Sequence, residues 1–289
     1  MKLALFLMTS LIALVFCSCG EDSPNIFHID IVSYLDEGRD IEMVSLPGGT
    51  YAMGSALYPA FTMEPIGIGG ALVRVYNFER PVHIVSVSPF LISNTEITHE
   101  QYRAVMGLNP SKFSGMADMP VESIKWQEAA DFCNELSGKM GLNPCYDQSY
   151  NCDLGKNGFR LPTEAEWEFA ARGGTDLEYS FGDGAAGLVR NGWYLGNSGS
   201  KPSPVAYKEP NQYGLYDMHG NVSEWCQDMF AFYNCGAQSD PVVTEGAPVY
   251  VARGGNWASV AKDCRSAARR AYYKDRAVSL LGFRIVRRQ

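Results

Sequence analysis

Eight cysteines and four histidines are the side chains in this 289-residue chain best able to do redox or transition-metal chemistry, and their spacing limits what that chemistry is. Cys17 and Cys19 sit in an apolar N-terminal stretch. The other six are Cys133, Cys145, Cys152, Cys226, Cys235 and Cys264, and no Cys-x-x-Cys occurs among them, which argues against a zinc ribbon or a thioredoxin-like dithiol. His28, His83, His99 and His219 show no metal-ligand spacing, so all four are expected to be structural. An even set of six cysteines suits an oxidising compartment, and Cys145 and Cys152, which flank a short polar loop, are the pair expected to be bridged. Cys133 falls on the apolar face of an expected helix and reads as a buried free thiol.

The elements that must position these groups can be read from periodicity and capping. Met43–Leu46 alternates, Pro47-Gly48-Gly49 turns, and Thr50–Gly54 returns; Val82–Val87 alternates again and ends at Pro89. Between these strands, Ala56–Phe78 is rich in Gly, Pro and aromatics and is expected to form a surface loop or an added hairpin. Thr98 with Gln101 three residues on makes a capping box for a short helix that should stop at Gly107. A second helix is expected from about Ser123 to Leu136, with Trp126, Ala129, Ala130, Cys133 and Leu136 on one face. Thr163 and Glu166 form another capping box, opening a helix that turns Trp167, Ala170 and Ala171 inward and ends at Gly173-Gly174. Few helices, many turns and scattered aromatics predict an α+β domain with much irregular structure.

Nearly half of the chain is hydrophobic (46%), enough for a sizeable core, and a single large domain over residues 41–289 is expected. Lys2 followed by an apolar run from Leu3 to Phe16 has the length of a signal-peptide core and is too short to span a bilayer. Phe16-Cys17-Ser18-Cys19-Gly20 resembles a bacterial lipobox, with small Ser18 before the cysteine to be lipidated. The expectation is therefore a signal peptide at 1–18, lipidation of Cys19, and a tether with a possible first strand over 19–40, near Ile26–Tyr34. Glu21-Asp22 resembles the surface-export tag of some lipoproteins. Such a protein would be exported and held at an outer membrane or cell surface through its lipid anchor.

Three blocks carry a more specific signal: Arg160-Leu161-Pro162-Thr163-Glu164-Ala165-Glu166-Trp167, then Gly214–Trp225, and a tail framed by Arg253-Gly254-Gly255-Asn256-Trp257 and Gly282-Phe283-Arg284. Together they resemble the formylglycine-generating enzyme, or sulfatase-modifying factor, family. The resemblance implies an α+β fold of the formylglycine-generating-enzyme-like variant of the C-type lectin type. Enzyme members oxidise a sulfatase cysteine with a pair of their own cysteines behind a Gly-Gly-Ser turn. Here the first of those positions holds Ser259, and Cys264 stands alone in the neighbourhood, so no copper site and no catalytic residues are expected. The resemblance also implies a structural calcium ion held by Asp217, the carbonyls of Gly220 and Val222, and Glu224. Hard calcium takes six to eight oxygens. The same two carboxylates could instead serve a plain structural turn, Asp217 capping backbone amides and Glu224 pairing with an arginine.

From Trp257 onward a frame of Ala261, Cys264–Ala267, Arg269, Asp275, Arg276 and Gly282–Arg284 alternates with short unrelated runs. The runs are Ala258, Ser259 and Val260; Asp263; Ala268; Arg270, Ala271, Tyr272 and Tyr273; and Ala277, Val278, Ser279 and Leu280. This layout resembles the variable region of diversity-generating-retroelement target proteins. Scaffold-borne loops can change side chains without changing fold, and tyrosines give large contact area at low entropic cost. The net charge is −8, yet Arg253–Gln289 holds ten Lys or Arg against two Asp. Several of these arginines, including Arg265, Arg269 and Arg284, are expected to pair with buried carboxylates such as Glu166 or Glu224. No alternating basic and aromatic pattern points to nucleic acid. The reading is an exported lipoprotein whose tail, with Trp257 supporting it, binds a protein or glycan ligand. Two alternatives stay open: a formylglycine-generating or related cysteine-oxidising enzyme, and a structural lipoprotein of a surface machine.

Overall fold

The computed structural model describes residues 40–59, 61–66, 71–76 and 78–289. The signal peptide, the lipidation of Cys19, His28 and the strand near Ile26–Tyr34 lie outside the described residues. Among those described, no helix is long and apolar enough to cross a membrane.

Strand β1 (Met43–Leu46) and β2 (Gly49–Met53) turn at Pro47-Gly48, as the alternation predicts. The stretch from Ala56 to Phe78 contains an added hairpin, β3 (Phe61–Ile66) and β4 (Ala71–Tyr76), paired antiparallel. Strands β5 (His83–Val87) and β6 (Phe90–Ser93) follow. Helix α1 (His99–Met106) carries both halves of its capping box on Thr98 and Gln101 and ends at Gly107 in the left-handed conformation (φ 77°), where glycine is favoured.

Helix α2 (Trp126–Lys139) begins and ends three residues later than Ser123–Leu136. Ser123 has the residue type of an N-cap, but its backbone takes φ 63° and its hydroxyl donates to Glu122, so it belongs to the preceding turn. The Glu128 carboxylate instead accepts from the Lys125 N–H, closing the first turn. The expected apolar face of α2 is buried in full. After β7 (Phe159–Arg160), helix α3 (Glu164–Arg172) starts at Thr163 with its capping box and stops at left-handed Gly173. The remaining elements are a one-turn helix α4 (Leu188–Asn191) and strands β8 (Ser223–Met229), β9 (Gln238–Ser239), β10 (Val249–Arg253), β11 (Arg269–Tyr273), β12 (Leu281–Gly282) and β13 (Val286–Arg288).

The strands order as β1-β6-β13-β7, β11-β10-β8-β12 and β2-β5-β9, beside the β3-β4 hairpin. Two large apolar clusters fill the space between sheets and helices, one around Trp126, Phe132, Trp225 and Phe283, the other around Trp167, Phe169, Val85 and Val251. The two indoles of the first cluster satisfy their N–H groups: Trp126 donates to the Cys226 carbonyl and Trp225 to that of Ile124, both at 2.8 Å.

Beneath β11 runs a chain of buried ion pairs. Glu168 accepts from Arg172 at 2.7 Å and from Arg253, and takes the Gly54 N–H at 2.8 Å. Burial alone would raise the Glu168 carboxyl; Arg172 and Arg253 more than offset it and hold it below the usual range. Arg269 pairs with Glu164, Arg284 with Glu224 at 2.7 Å, and Arg265 with Glu79 at 2.6 Å. Glu166, named above as an expected partner of tail arginines, is instead held by Arg160 at 2.7 Å.

Candidate functional site

Strand β11 pairs with β10 on one side only, so the tail forms the open border of its sheet. From β11 the chain turns through Lys274–Leu280 and is tied back along its length: the Trp126 N–H donates to the Lys274 carbonyl (3.0 Å), the Ser123 N–H to Val278 (3.2 Å), the Ser223 N–H to Leu280 (2.7 Å) and the Trp257 indole to Ser279 (2.9 Å). Trp257 is thus a strut between the start and end of the tail. Its ring meets Phe113 edge-on at 5.6 Å, and the Leu195 N–H bonds the Ser259 carbonyl at 2.9 Å.

Most of the predicted contact residues reach solvent. Val260 is 44% and Tyr273 64% exposed; Arg270, Ala271 and Ala277 are also exposed. Trp257, Ala258, Asp263, Tyr272, Val278, Ser279 and Leu280 are half-buried. Asp263 and Arg270 come from different segments and pair at 2.7 Å near the surface. Tyr272 leans inward, its ring edge-on to Trp225.

Two predicted positions face the interior and are corrected. Ser259 is 3% exposed because its hydroxyl accepts the Asn256 N–H and closes the turn after Gly255. Ala268 is 7% exposed because its carbonyl accepts from the buried Arg253 guanidinium at 2.7 Å. Phe113 and Leu195, the latter 54% exposed, border this surface and were not predicted. Both come from loops without periodicity, and only the three-dimensional approach to Trp257 and Ser259 marks them.

Cys264 lies under this surface. Its thiol is fully buried, donates weakly to the Val260 carbonyl, and is pushed up to about 12 by burial and then by Asp263. A Cβ added to Gly255 (φ 72°) would stand 2.6 Å from its sulfur, so glycine is required for the turn to close on Cys264. His219 fastens this segment to the Asp217 turn. The Ser180 N–H donates to its Nε2 at 3.2 Å, which makes Nδ1 the protonated nitrogen, donating to the Cys264 carbonyl at 2.9 Å. Burial lowers its pKa to about 4, against the pull of the Cys264 carbonyl.

The Asp217 turn holds a buried acidic group. Asp217 sits at φ 59°; its Oδ2 accepts the Ala206 N–H at 2.8 Å while Oδ1 is buried without a partner. Glu224 gives Oε2 to the Trp167 indole and the Arg284 Nε, and Oε1 to Arg284 Nη2, which leaves one lone pair on Oε1. Glu96, missed in the sequence, completes the group: it is fully buried and accepts only long bonds, from the Val222 N–H at 3.4 Å and the Asn221 amide at 3.5 Å. Burial first, then Asp217 and Glu224, push Glu96 well above the usual carboxylate range, and burial raises Asp217 to about 6. With Glu96 pushed toward its neutral form, Asp217 and Glu224 against Arg284 leave one negative charge over, and with the orphaned Asp217 Oδ1 this suits a cation, which would in turn favour the Glu96 anion. Among the described residues no group of three or more His, Cys, Asp or Glu side chains is arranged to hold a metal. Such an ion would therefore draw most of its ligands from backbone carbonyls, those of Gly220 and Val222.

Cys145 and Cys152 are both unbridged, with their thiols in hydrogen-bonding contact beside the Tyr146 to Cys152 bridge.

Residues 35–289 match the sulfatase-modifying factor enzyme 1-like domain. The chain belongs to this family. Its fold is accordingly the formylglycine-generating-enzyme-like variant of the C-type lectin fold, α+β with four helices among the described residues. Among solved structures, Treponema denticola variable protein 1 is 34% identical and superposes with a TM-score of 0.79, covering 89% of this chain and 99% of that one. Chaperone protein LppX of Paenibacillus barcinonensis is 33% identical over 210 residues, 61% of this chain and 71% of that protein. The formylglycine-generating enzyme of Mycobacterium tuberculosis is 29% identical, over 85% of this chain and 97% of the enzyme. Within the sulfatase-modifying factor family, then, this chain carries Ser259 and a buried, protonated Cys264 in the segment behind its Gly254-Gly255 turn.

Proposed function

We propose that the chain is a non-catalytic recognition module that binds a protein or glycan ligand outside the cytoplasm through the exposed tail, centred on Val260, Asp263, Arg270, Ala271, Tyr273 and Ala277. The observation that carries this reading is the division of labour along the tail: framework side chains such as Arg265, Arg269 and Arg284 are buried in ion pairs, while Val260, Arg270, Ala271, Tyr273 and Ala277 face solvent. Similarity to a protein described as variable supports it. The finer reading is that a retroelement rewrites these positions. Sequencing the DNA beside the gene tests it: a near-copy of the codons for 257–284, differing at adenines and next to a reverse transcriptase, is expected, and the absence of such a copy refutes diversification.

Binding itself is tested by probing the full chain against glycan and cell-surface protein arrays beside Tyr273→Ala and Arg270→Ala. Both substitutions are expected to abolish the selected contact while leaving stability within about 0.5 kcal/mol, because they touch only surface. Contacts unchanged in both variants refute the tail as the site. A cysteine-oxidising role would require thiol-dependent oxidation of a sulfatase-type peptide that Cys264→Ser abolishes. Anchoring is part of the same proposal: Cys19 carries the lipid, and a mass increase on that residue in membrane fractions is the check.

The Asp217 turn is proposed as a structural calcium site, with Asp217, the Gly220 and Val222 carbonyls and the free lone pair of Glu224 as ligands. Bound there, calcium would supply charge compensation and hold the turn shape. Calcium is expected to raise the melting temperature of chelator-treated protein, and Asp217→Asn to lessen that rise; no shift with calcium refutes the site.

A further inference from the structure

A cleft of about 400 Å³ lies away from the Asp217 turn, between the start of β5, the N-terminus of α3, the end of β8 and the loop that carries β9. Gln238 and Ser239 reach it from β9, which runs parallel to β5. Its floor is made by His83, Glu164, Asp228 and Tyr233, the first three buried. Phe232, 62% exposed, stands at its mouth with Asn234.

The hydrogen-bond inventory of the floor decides what it can hold. Arg269 spends its guanidinium on Glu164 and on the carbonyls of Phe78 and Ala231. The Tyr233 hydroxyl donates to Glu164 at 3.2 Å. The N–H groups of Glu164 and Val243 donate to the two Asp228 oxygens at 2.7 and 2.8 Å. His83 Nδ1 stands 3.0 Å from the Pro81 carbonyl, which can only accept, so the neutral ring offers Nε2 as an acceptor. These buried donors are spent on protein oxygens, and what the floor has left is acceptor lone pairs.

Charge narrows the ligand further. Glu164, Glu168 and Asp228 face Arg172, Arg253 and Arg269, so the network closes near neutrality. Burial and Glu164 push Asp228 up to about 7, while its two backbone N–H bonds at the start of α3 favour the anion. An ammonium ligand would leave a buried excess of positive charge. A ligand that brings several uncharged donors meets the floor without that cost. The rim adds the amides of Asn234 and Gln238 and the Ser239 hydroxyl, each able to donate and accept, and Phe232 offers an apolar face.

We propose that this cleft binds one neutral sugar residue, His83, Glu164, Asp228 and Tyr233 accepting its hydroxyl protons, Gln238 orienting it at the rim and Phe232 covering its apolar face. The site stands apart from the tail surface and does not depend on it. Saturation-transfer NMR on the full chain with D-glucose, D-galactose, D-mannose and N-acetyl-D-glucosamine at millimolar concentration tests it. At least one of the four is expected to bind, with Phe232→Ala and Gln238→Ala, both at the rim, each weakening it about tenfold or more. Tyr273→Ala is expected to leave sugar binding unchanged, which separates this site from the tail. The proposal is overturned if none of the four sugars binds, if binding persists at full strength in both rim variants, or if tetramethylammonium binds the cleft and the sugars do not.

Discussion

Acid should loosen this protein through His219 before most carboxylates titrate. The ring is fully buried between Ser180 and the Cys264 carbonyl, and burial brings its pKa to about 4 from an ordinary value near 6.5. The neutral ring is the folded form, so the stability it carries is complete above about pH 6.5 and is lost as pH falls toward 4. With those two values, moving from about pH 7.5 to about pH 5 removes roughly 2 kcal/mol from this residue alone. The perturbation is His219→Gln, which removes the titration while keeping a polar side chain. Urea unfolding of both proteins, in chelator, at the two pH values gives the difference. The variant is less stable at neutral pH, yet its loss on acidification is expected to be smaller than that of the unmodified chain by about 2 kcal/mol. Equal losses in the two proteins refute the reasoning, as does a His219 ring-proton resonance that titrates near pH 6.5.

Two further outcomes follow from the interior. Glu168→Gln leaves Arg172 and Arg253 buried with one partner fewer and is expected to cost about 3–5 kcal/mol in denaturant unfolding; a cost under about 1 kcal/mol would show that the ion pairs are replaceable. Mild oxidation with diamide is expected to join Cys145 and Cys152, removing two hydrogens, lowering the free-thiol count by two and stabilising the chain by about 2–3 kcal/mol; an unchanged thiol count, or the same fall in Cys152→Ser, contradicts the pairing.

Local chemistry was readable and long-range approach was not. Thr98 with Gln101 and Thr163 with Glu166 specify their helix starts within four residues, and both capping boxes form as expected. Ser123 misled because an N-cap residue type says nothing about a backbone already committed to φ 63°. Along the tail, Ser259 and Ala268 turn inward, a direction set by Asn256 and Arg253, while the frame residues Asp275 and Arg276 reach solvent. Glu96 was invisible to motif reading because the turn it completes begins more than a hundred residues later, and a longer stretch still separates Phe113 from Trp257. Nothing in the sequence pairs Arg265 with Glu79 or Arg269 with Glu164.

The last strand has a consequence for how the protein is made. β13 inserts between β6 and β7, so a sheet begun at Met43 is completed only by Val286–Arg288, more than 240 residues later. A ribosome must read past Arg288 before that sheet can close. Any stop codon or frameshift within the tail also deletes or scrambles Val286–Arg288, and the product lacks the strand that joins both halves of the sheet. Truncations and frameshifts in the surface segment are thereby screened by folding itself: only chains read past Arg288 can complete the sheet.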